Sequence, residues 1–144
     1  AVENFRIAAG ELNTQFYGME FQDSDVSKWV EAASYSLMHY PNPQIEKNID
    51  ELVNIIEKAQ QPNGYINTYF TISKPDEKWT NFTFGHELYC AGHMIEAAVA
   101  YYKATGKNKF LNIMCKFADH IDSSFGTEKN KQQKDKETKE EKKK

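Results

Sequence analysis

Apolar positions recur every three to four residues through most of the chain. Val26, Trp29, Val30, Ala33 and Leu37 form one such stripe, preceded by Asp23-Ser24-Asp25, whose side chains can cap free backbone N–H groups and whose charge suits a helix N-terminus. The spacing predicts a helix from about Ser24 to His39. Asn42-Pro43 then gives a cap followed by proline at the first helical position, and Ile45, Ile49, Leu52, Val53, Ile56 and Ala59 continue the stripe to about Gln61. Pro62-Asn63-Gly64 is a turn, and Tyr65 to Phe70 follows with partial alternation. A third helix is predicted from about His86 to Thr105 through Leu88, Ile95, Val99 and Tyr102, stopped by Gly106. A fourth runs from about Asn108 to Phe125 on Phe110, Leu111, Met114, Phe117 and Ile121.

Tight turns at Pro41 to Pro43 and Thr105 to Lys107 make two antiparallel hairpins joined by a long link. If the hairpins stack in the same sense, the first and third helices both start where the second finishes. Asp23, Asp25, His86 and Glu87 gather at that end, with the loop from Pro62 to Gly85 between them. Long loops inside compact domains are usually functional or disordered. This one holds Asn63, Tyr65, Asn67, Tyr69, Trp79 and Asn81, and flat aromatics beside amides suit a sugar's hydroxyls and apolar C–H face. The alternative is a loop pinned to the bundle end by its aromatics.

Composition changes this picture at one place. The 144 residues suffice for one domain with a core, and 13% aromatics with 7 Gly and 4 Pro fit a globular chain. From Thr127 to Lys144, however, there is no apolar residue, and eight Lys against five acidic residues leave +3 there and −6 on residues 1–126. Nothing in that tail offsets the roughly 1–2 kcal/mol per residue needed to order it, so the expected division is a domain at 1–126 and a disordered tail at 127–144. Interleaved acids and missing aromatics argue against a nucleic-acid arm, and A-rich DNA read past a frameshift would give such a composition. No apolar run approaches the roughly 20 residues that cross a bilayer, so neither a nucleic-acid nor a membrane partner is expected. The chain starts at Ala1 without methionine, and a missing upstream segment is expected. Two cysteines, Cys90 and Cys115, form no framework pattern, which favours a reducing, cytoplasmic setting.

His86, Glu87, Cys90 and His93 compete for a chemical role. On a helix His86, Cys90 and His93 share a face, but seven residues separate the two imidazoles by about 10.5 Å of axial rise, too far to share one zinc. Nor is this the His-Glu-x-x-His of a zinc protease. No metal site is therefore expected. Cys90 is expected to be a small buried residue, Cys115 still more so, and His93 a satisfied core histidine. His86, at the helix start on the loop side, can point at a bound molecule.

Several motifs carry a family resemblance: NFRIAAG (Asn4 to Gly10), FYGMEFQDSDVSKWVEAASYSL (Phe16 to Leu37), AQQPNGYINTYF (Ala59 to Phe70), KWTN (Lys78 to Asn81) and HELYCAGHMIEAAVAYYKATGK (His86 to Lys107). In order and nearly gapless over about residues 2 to 126, they resemble the β-L-arabinofuranosidases of glycoside hydrolase family 127; the tail matches nothing in that family. The resemblance implies an all-α fold in which the two hairpins are inner and outer pairs of part of an (α/α)6 barrel. It implies removal of terminal β-L-arabinofuranose with retention, by a cysteine thiolate bound to zinc held by three Cys and one Glu, with another Glu as acid/base. All of those lie in a later part of the family's chain, and neither Cys90 nor Cys115 matches them. No catalytic residue, zinc ligand or cofactor is then expected here. The implied substrate contacts are His86 first, then Asp23 and Asp25, with Asn67, Tyr69 and Trp79 as the loop's contribution; Glu87 is the structural alternative.

Two hairpins of six leave an open apolar flank, so self-association is expected and catalysis by this chain alone is not. Two other classes stay open. One is a different sugar enzyme on the same barrel, an epimerase or uronyl hydrolase using Asp23 and Asp25, which helix capping explains more cheaply. The other is a non-catalytic helical interaction module.

Overall fold

A computed structural model describes residues 1–126 as all helical, with no strand among them. The proposed disordered tail at 127–144 lies outside the described residues. Six α-helices follow in order: α1 Val2–Ala8, α2 Asp23–His39, α3 Pro43–Ala59, α4 Thr68–Ser73, α5 Glu87–Thr105 and α6 Lys109–Ser124, with a 3-10 turn at Pro75–Glu77. The four long helices agree with the periodicity to within two residues. Residues 1–22 carried no assignment, yet α1 forms there, and its Phe5 is fully buried. The partial alternation at Tyr65 to Phe70 belongs to an extended entry and the start of α4, where Asn67 Oδ1 accepts the Phe70 N–H at 3.0 Å and starts the helix.

Local chemistry sets the boundaries. Asn42 Oδ1 accepts the N–H groups of Gln44 and Ile45, both at 3.1 Å, and Pro43 opens α3 with no N–H to satisfy. Gly106, at φ 73, ends α5 in the left-handed conformation and returns its N–H to the Tyr102 carbonyl.

The hairpins α2–α3 and α5–α6 stand side by side, with α2 packed along α5 and α3 touching α6. Small residues let α2 and α5 approach: Ser27 and Ser34 on α2 and Ala97 and Ala100 on α5 are all buried. The serine hydroxyls donate back to the Asp23 and Val30 carbonyls, so they enter the core without orphaned donors. Between the layers the core is larger in volume, from Ile49, Leu52, Val53 and Ile56 to Met94, Phe110, Met114 and Phe117, each worth about 1.5–3 kcal/mol of burial.

The stripe expected for α5 is displaced. Leu88, Val99 and Tyr102 are exposed and Ile95 is half-buried, because the buried side of α5 runs instead through Cys90, Ala91, Met94, Ala97, Ala98 and Tyr101. Trp29 on α2 is likewise 47% exposed, against its place in the expected stripe. Cys115 is exposed, contrary to the sequence expectation, since the buried side of α6 runs through Phe110, Ile113, Met114 and Phe117; Cys90 is buried as expected.

The loop end is as the hairpin geometry required. Starts of α2 and α5 and the end of α3 converge there, and the chain from Gln60 to His86 is tied across them. At the opposite end the turn is closed by Lys107 Nζ on Asp50 at 2.6 Å and Glu46 at 3.3 Å, with the Tyr101 hydroxyl also donating to Asp50.

Candidate functional site

Buried carboxylates organise the loop end. Asp23, in the first turn of α2, accepts the Thr68 N–H at 2.8 Å and the Thr68 hydroxyl at 2.5 Å. It caps α4 rather than its own helix. Only 2% of Asp23 is exposed, and burial outweighs those two bonds, pushing its pKa up to about 6. Glu87, in the first turn of α5, takes the Tyr65 hydroxyl at 2.5 Å and the Trp79 N–H at 2.9 Å. Its pKa is raised by desolvation, against the pull of those two donors and of Lys78. Glu87 is thus the structural carboxylate of the two alternatives, binding both limbs of the loop to α5.

Aromatics complete the anchor. Trp79 stands in the left-handed region at φ 60, donates from Nε1 to His120 Nε2 at 3.0 Å, and packs edge-on against Tyr65 and Phe125 at 5.5 and 5.1 Å between centroids. It therefore faces α6. Tyr69, half-buried, meets Phe16 and Phe70 at 5.2 and 5.0 Å. Asn67 is buried with its carbonyl spent on α4, and its Nδ2 has no protein partner. For Trp79 and Tyr65 the pinned-loop account of the aromatics describes the contacts found.

His86 is differently placed. It precedes α5 with φ 54, a conformation that costs a non-glycine residue roughly 1–2 kcal/mol and recurs at ligand clamps. Two features hold it: Nδ1 lies 2.8 Å from the Phe84 carbonyl, and Gly85 before it is buried so tightly that a Cβ would meet the Asn81 carbonyl oxygen at 2.5 Å. A proton on Nδ1 directed at that carbonyl leaves Nε2 as a free acceptor. The ring is half-buried, edge-on to Phe21 at 5.3 Å and Tyr89 at 5.9 Å. Beyond it, Lys28 of α2 donates to the Tyr89 hydroxyl at 2.9 Å, and Tyr89 meets His93 at 4.6 Å. Sequence reasoning missed Phe21, Lys28 and Tyr89. Tyr89 lies one turn from His86 on the same helix, a signal that was available; the pairing with Lys28 needs the packing of α2 on α5.

Asp23 and Asp25 are separated by the fold. Asp25 is exposed, accepts from Gln22 Nε2 at 2.6 Å, and borders an open hollow of about 460 Å³ floored by Val26, Trp29, Leu52 and Ile55. The two carboxylates thus have different partners, Thr68 for Asp23 and Gln22 for Asp25.

The metal-capable groups are few. Glu31, His93 and Glu96 bring ligand atoms within 4.8 Å of one another, the one such group of three among the described residues. The Tyr35 hydroxyl already holds Glu31 at 2.9 Å, and the Glu96 side chain is 65% exposed, 3.9 Å from His93 Nδ1. Glu31 and His93 are half-buried in this group and Glu96 is exposed. His93 is accordingly half-buried, with Nδ1 lacking a hydrogen bond, rather than a satisfied core residue. The thiols do not converge: burial pushes Cys90 up to about 12, and Cys115 is exposed on α6.

Comparison with known proteins decides the lineage. The sequence model described as the catalytic domain of β-L-arabinofuranosidase, family 127, matches residues 1–143, reaching into the Lys/Glu-rich segment that the motif resemblance left out. The chain belongs to glycoside hydrolase family 127. Among relatives of this family-127 chain is the non-reducing end β-L-arabinofuranosidase of Bifidobacterium longum subsp. longum, 43% identical over 135 residues, covering 91% of this chain and 20% of that enzyme. The crystal structure of a family-127 β-L-arabinofuranosidase from Geobacillus stearothermophilus T6 matches with TM-score 0.88 and 56% identity over 90% of this chain and 20% of its own. A second solved family-127 β-arabinofuranosidase gives 0.81 and 41% over 90% and 22%. This family-127 chain thus spans about a fifth of the length of these relatives, and its fold is that of the N-terminal part of their helical barrel.

Proposed function

We propose that this chain supplies part of the sugar-binding end of a β-L-arabinofuranosidase barrel, with His86 accepting a hydrogen bond from a hydroxyl of the arabinofuranosyl unit. The observation that carries the reading is His86 itself. Its backbone is held in a strained conformation, its Nδ1 is fixed by the Phe84 carbonyl, and its ring is half-exposed between Phe21 and Tyr89. Asp23, Asn67, Trp79 and Glu87 serve from behind by fixing the loop on which His86 stands, and Asp25 and Tyr69 sit at its margins.

Hydrolysis belongs to a longer assembly than these residues make. The zinc that the family resemblance implies, with its cysteine ligands, does not fit this chain: Cys90 is a buried thiol and Cys115 a distant exposed one. No catalytic step is therefore assigned to residues 1–126. The two unpaired cysteines suit the reducing, cytoplasmic setting that we retain as part of this reading, and no described helix is long and apolar enough to cross a membrane.

Calorimetric titration with methyl β-L-arabinofuranoside tests the reading. The chain is expected to bind it, and His86→Ala to lose about threefold to tenfold in affinity, the worth of one hydrogen bond. Equal binding by both proteins, or none by either, would contradict it. A second reading, self-association, is favoured by the exposure of Trp29, Tyr35 and Met38 on α2 and Leu88, Val99 and Tyr102 on α5.

A further inference from the structure

We propose that Tyr89 and Lys28 form a second contact of the same sugar site, a phenol held as a hydrogen-bond donor by an ammonium, which takes an oxygen acceptor on the sugar unit carrying the arabinofuranose. The inference rests on the sugar-binding reading of His86 and extends it from the terminal unit to its neighbour.

The Tyr89 hydroxyl has one hydrogen to donate and lone pairs to accept with. An ammonium has donors and no acceptor, so the 2.9 Å contact between Lys28 Nζ and the Tyr89 oxygen has Lys28 donating. That bond occupies a lone pair of the phenol and leaves its own hydrogen to be given elsewhere. A tyrosine that accepts from a cation is also a stronger donor, because the positive charge polarises its O–H bond. The Lys28 ammonium also lies 5.3 Å from the ring centroid, a second attraction between the two side chains.

Position gives this donor its use. Tyr89 is 44% exposed, edge-on to His86 on one side and to His93 on the other. It follows His86 by three residues on α5, so one helical turn, about 5 Å of axial rise, separates them. That is the scale of one sugar ring. The two sites are complementary in sense: His86 Nε2 accepts, whereas Tyr89 and Lys28 donate. A terminal sugar hydroxyl fits the first, and an ether, ring or carboxylate oxygen of the next unit fits the second. Nothing in the folded core requires the pair, since both residues are exposed and they join α2 to α5 only at the surface.

Calorimetry on the full chain separates the possibilities, using methyl β-L-arabinofuranoside, a neutral β-L-arabinofuranosyl disaccharide and a disaccharide whose second unit is a uronate. The wild-type chain is expected to bind both disaccharides more tightly than the methyl glycoside. Tyr89→Phe keeps the ring and removes only the donor, and is expected to weaken the neutral disaccharide about threefold to tenfold more than it weakens the methyl glycoside. Lys28→Met should do the same, with a larger loss for the uronate if the acceptor is a carboxylate. Unchanged disaccharide affinity in both variants, with the wild type still binding, would overturn this inference and leave His86 standing. Failure of the wild type to bind any of the three would remove the sugar reading itself and this inference with it. Circular dichroism of Tyr89→Phe checks that the fold is intact.

Discussion

The Asp23 carboxyl, buried at the start of α2, has its pKa raised to about 6 from 3.8 chiefly by desolvation. Between those two values the folded chain keeps a proton that the unfolded chain has released. The stabilisation is complete below the unfolded pKa and is lost as pH rises through about 6. Glu87 is shifted in the same direction by its own burial. Denaturant unfolding at pH 5 and pH 7 should therefore show the wild type losing about 1 kcal/mol more than Asp23→Asn on going to the higher pH. Parallel losses in the two proteins would show that Asp23 does not titrate in this window. At this scale the place of His86 at the start of α5, beside the long loop, was legible from the helix period and the loop's length. The role of Asp23 was not: its local pattern reads as a cap for α2, whereas its partner, Thr68, is 45 residues away.

Among the elements, the stretch from Gln60 to His86 depends on close backbone approach. Gly64 has φ 93, and a Cβ there would meet the Lys116 carbonyl oxygen at 2.3 Å, a contact with backbone that cannot rotate away. Gly10 has φ 79 with nothing within 4 Å of its Cβ position. Thermal unfolding of Gly10→Ala should show a cost of about 1 kcal/mol from backbone strain alone, and Gly64→Ala a further loss of about 2 kcal/mol or more. Similar costs for both would mean the turn does not bear on α6. Helix positions were legible because the 3.6-residue period survives in α2, α3 and α6. The buried face of α5 was not, because hydrophobic size misleads where two helices pack closely. Ala91, Ala97, Ala98 and Ala100 are buried although small, and the bulky Leu88, Val99 and Tyr102 are left outward. Helix α1 escaped notice because seven residues give two turns, too few to show a period.

For the whole molecule, the chain spans about a fifth of the length of its relatives, and apolar side chains stand exposed on α2 and α5. Trp29 beside the hollow floored by Val26, Leu52 and Ile55 marks one flank, and Leu88, Val99 and Tyr102 mark the outward side of α5. Sedimentation velocity over a range of concentrations should show species heavier than the 16.7 kDa monomer, and Trp29→Lys should shift the distribution towards it. A single 16.7 kDa species at every concentration would contradict the self-association reading. The barrel membership of the hairpins was legible from motif order, while the contacts across α2 and α5 that build the candidate site depend on tertiary packing that no sequence period encodes.

The central claim, that sugar is met at the start of α5, is tested most directly by amide chemical-shift mapping of the isotopically labelled chain during titration with methyl β-L-arabinofuranoside. The account predicts saturable shifts centred on His86 and its neighbours Phe21 and Tyr89, absent in His86→Ala. Shifts centred on the hollow around Trp29, or none at millimolar sugar, would contradict it.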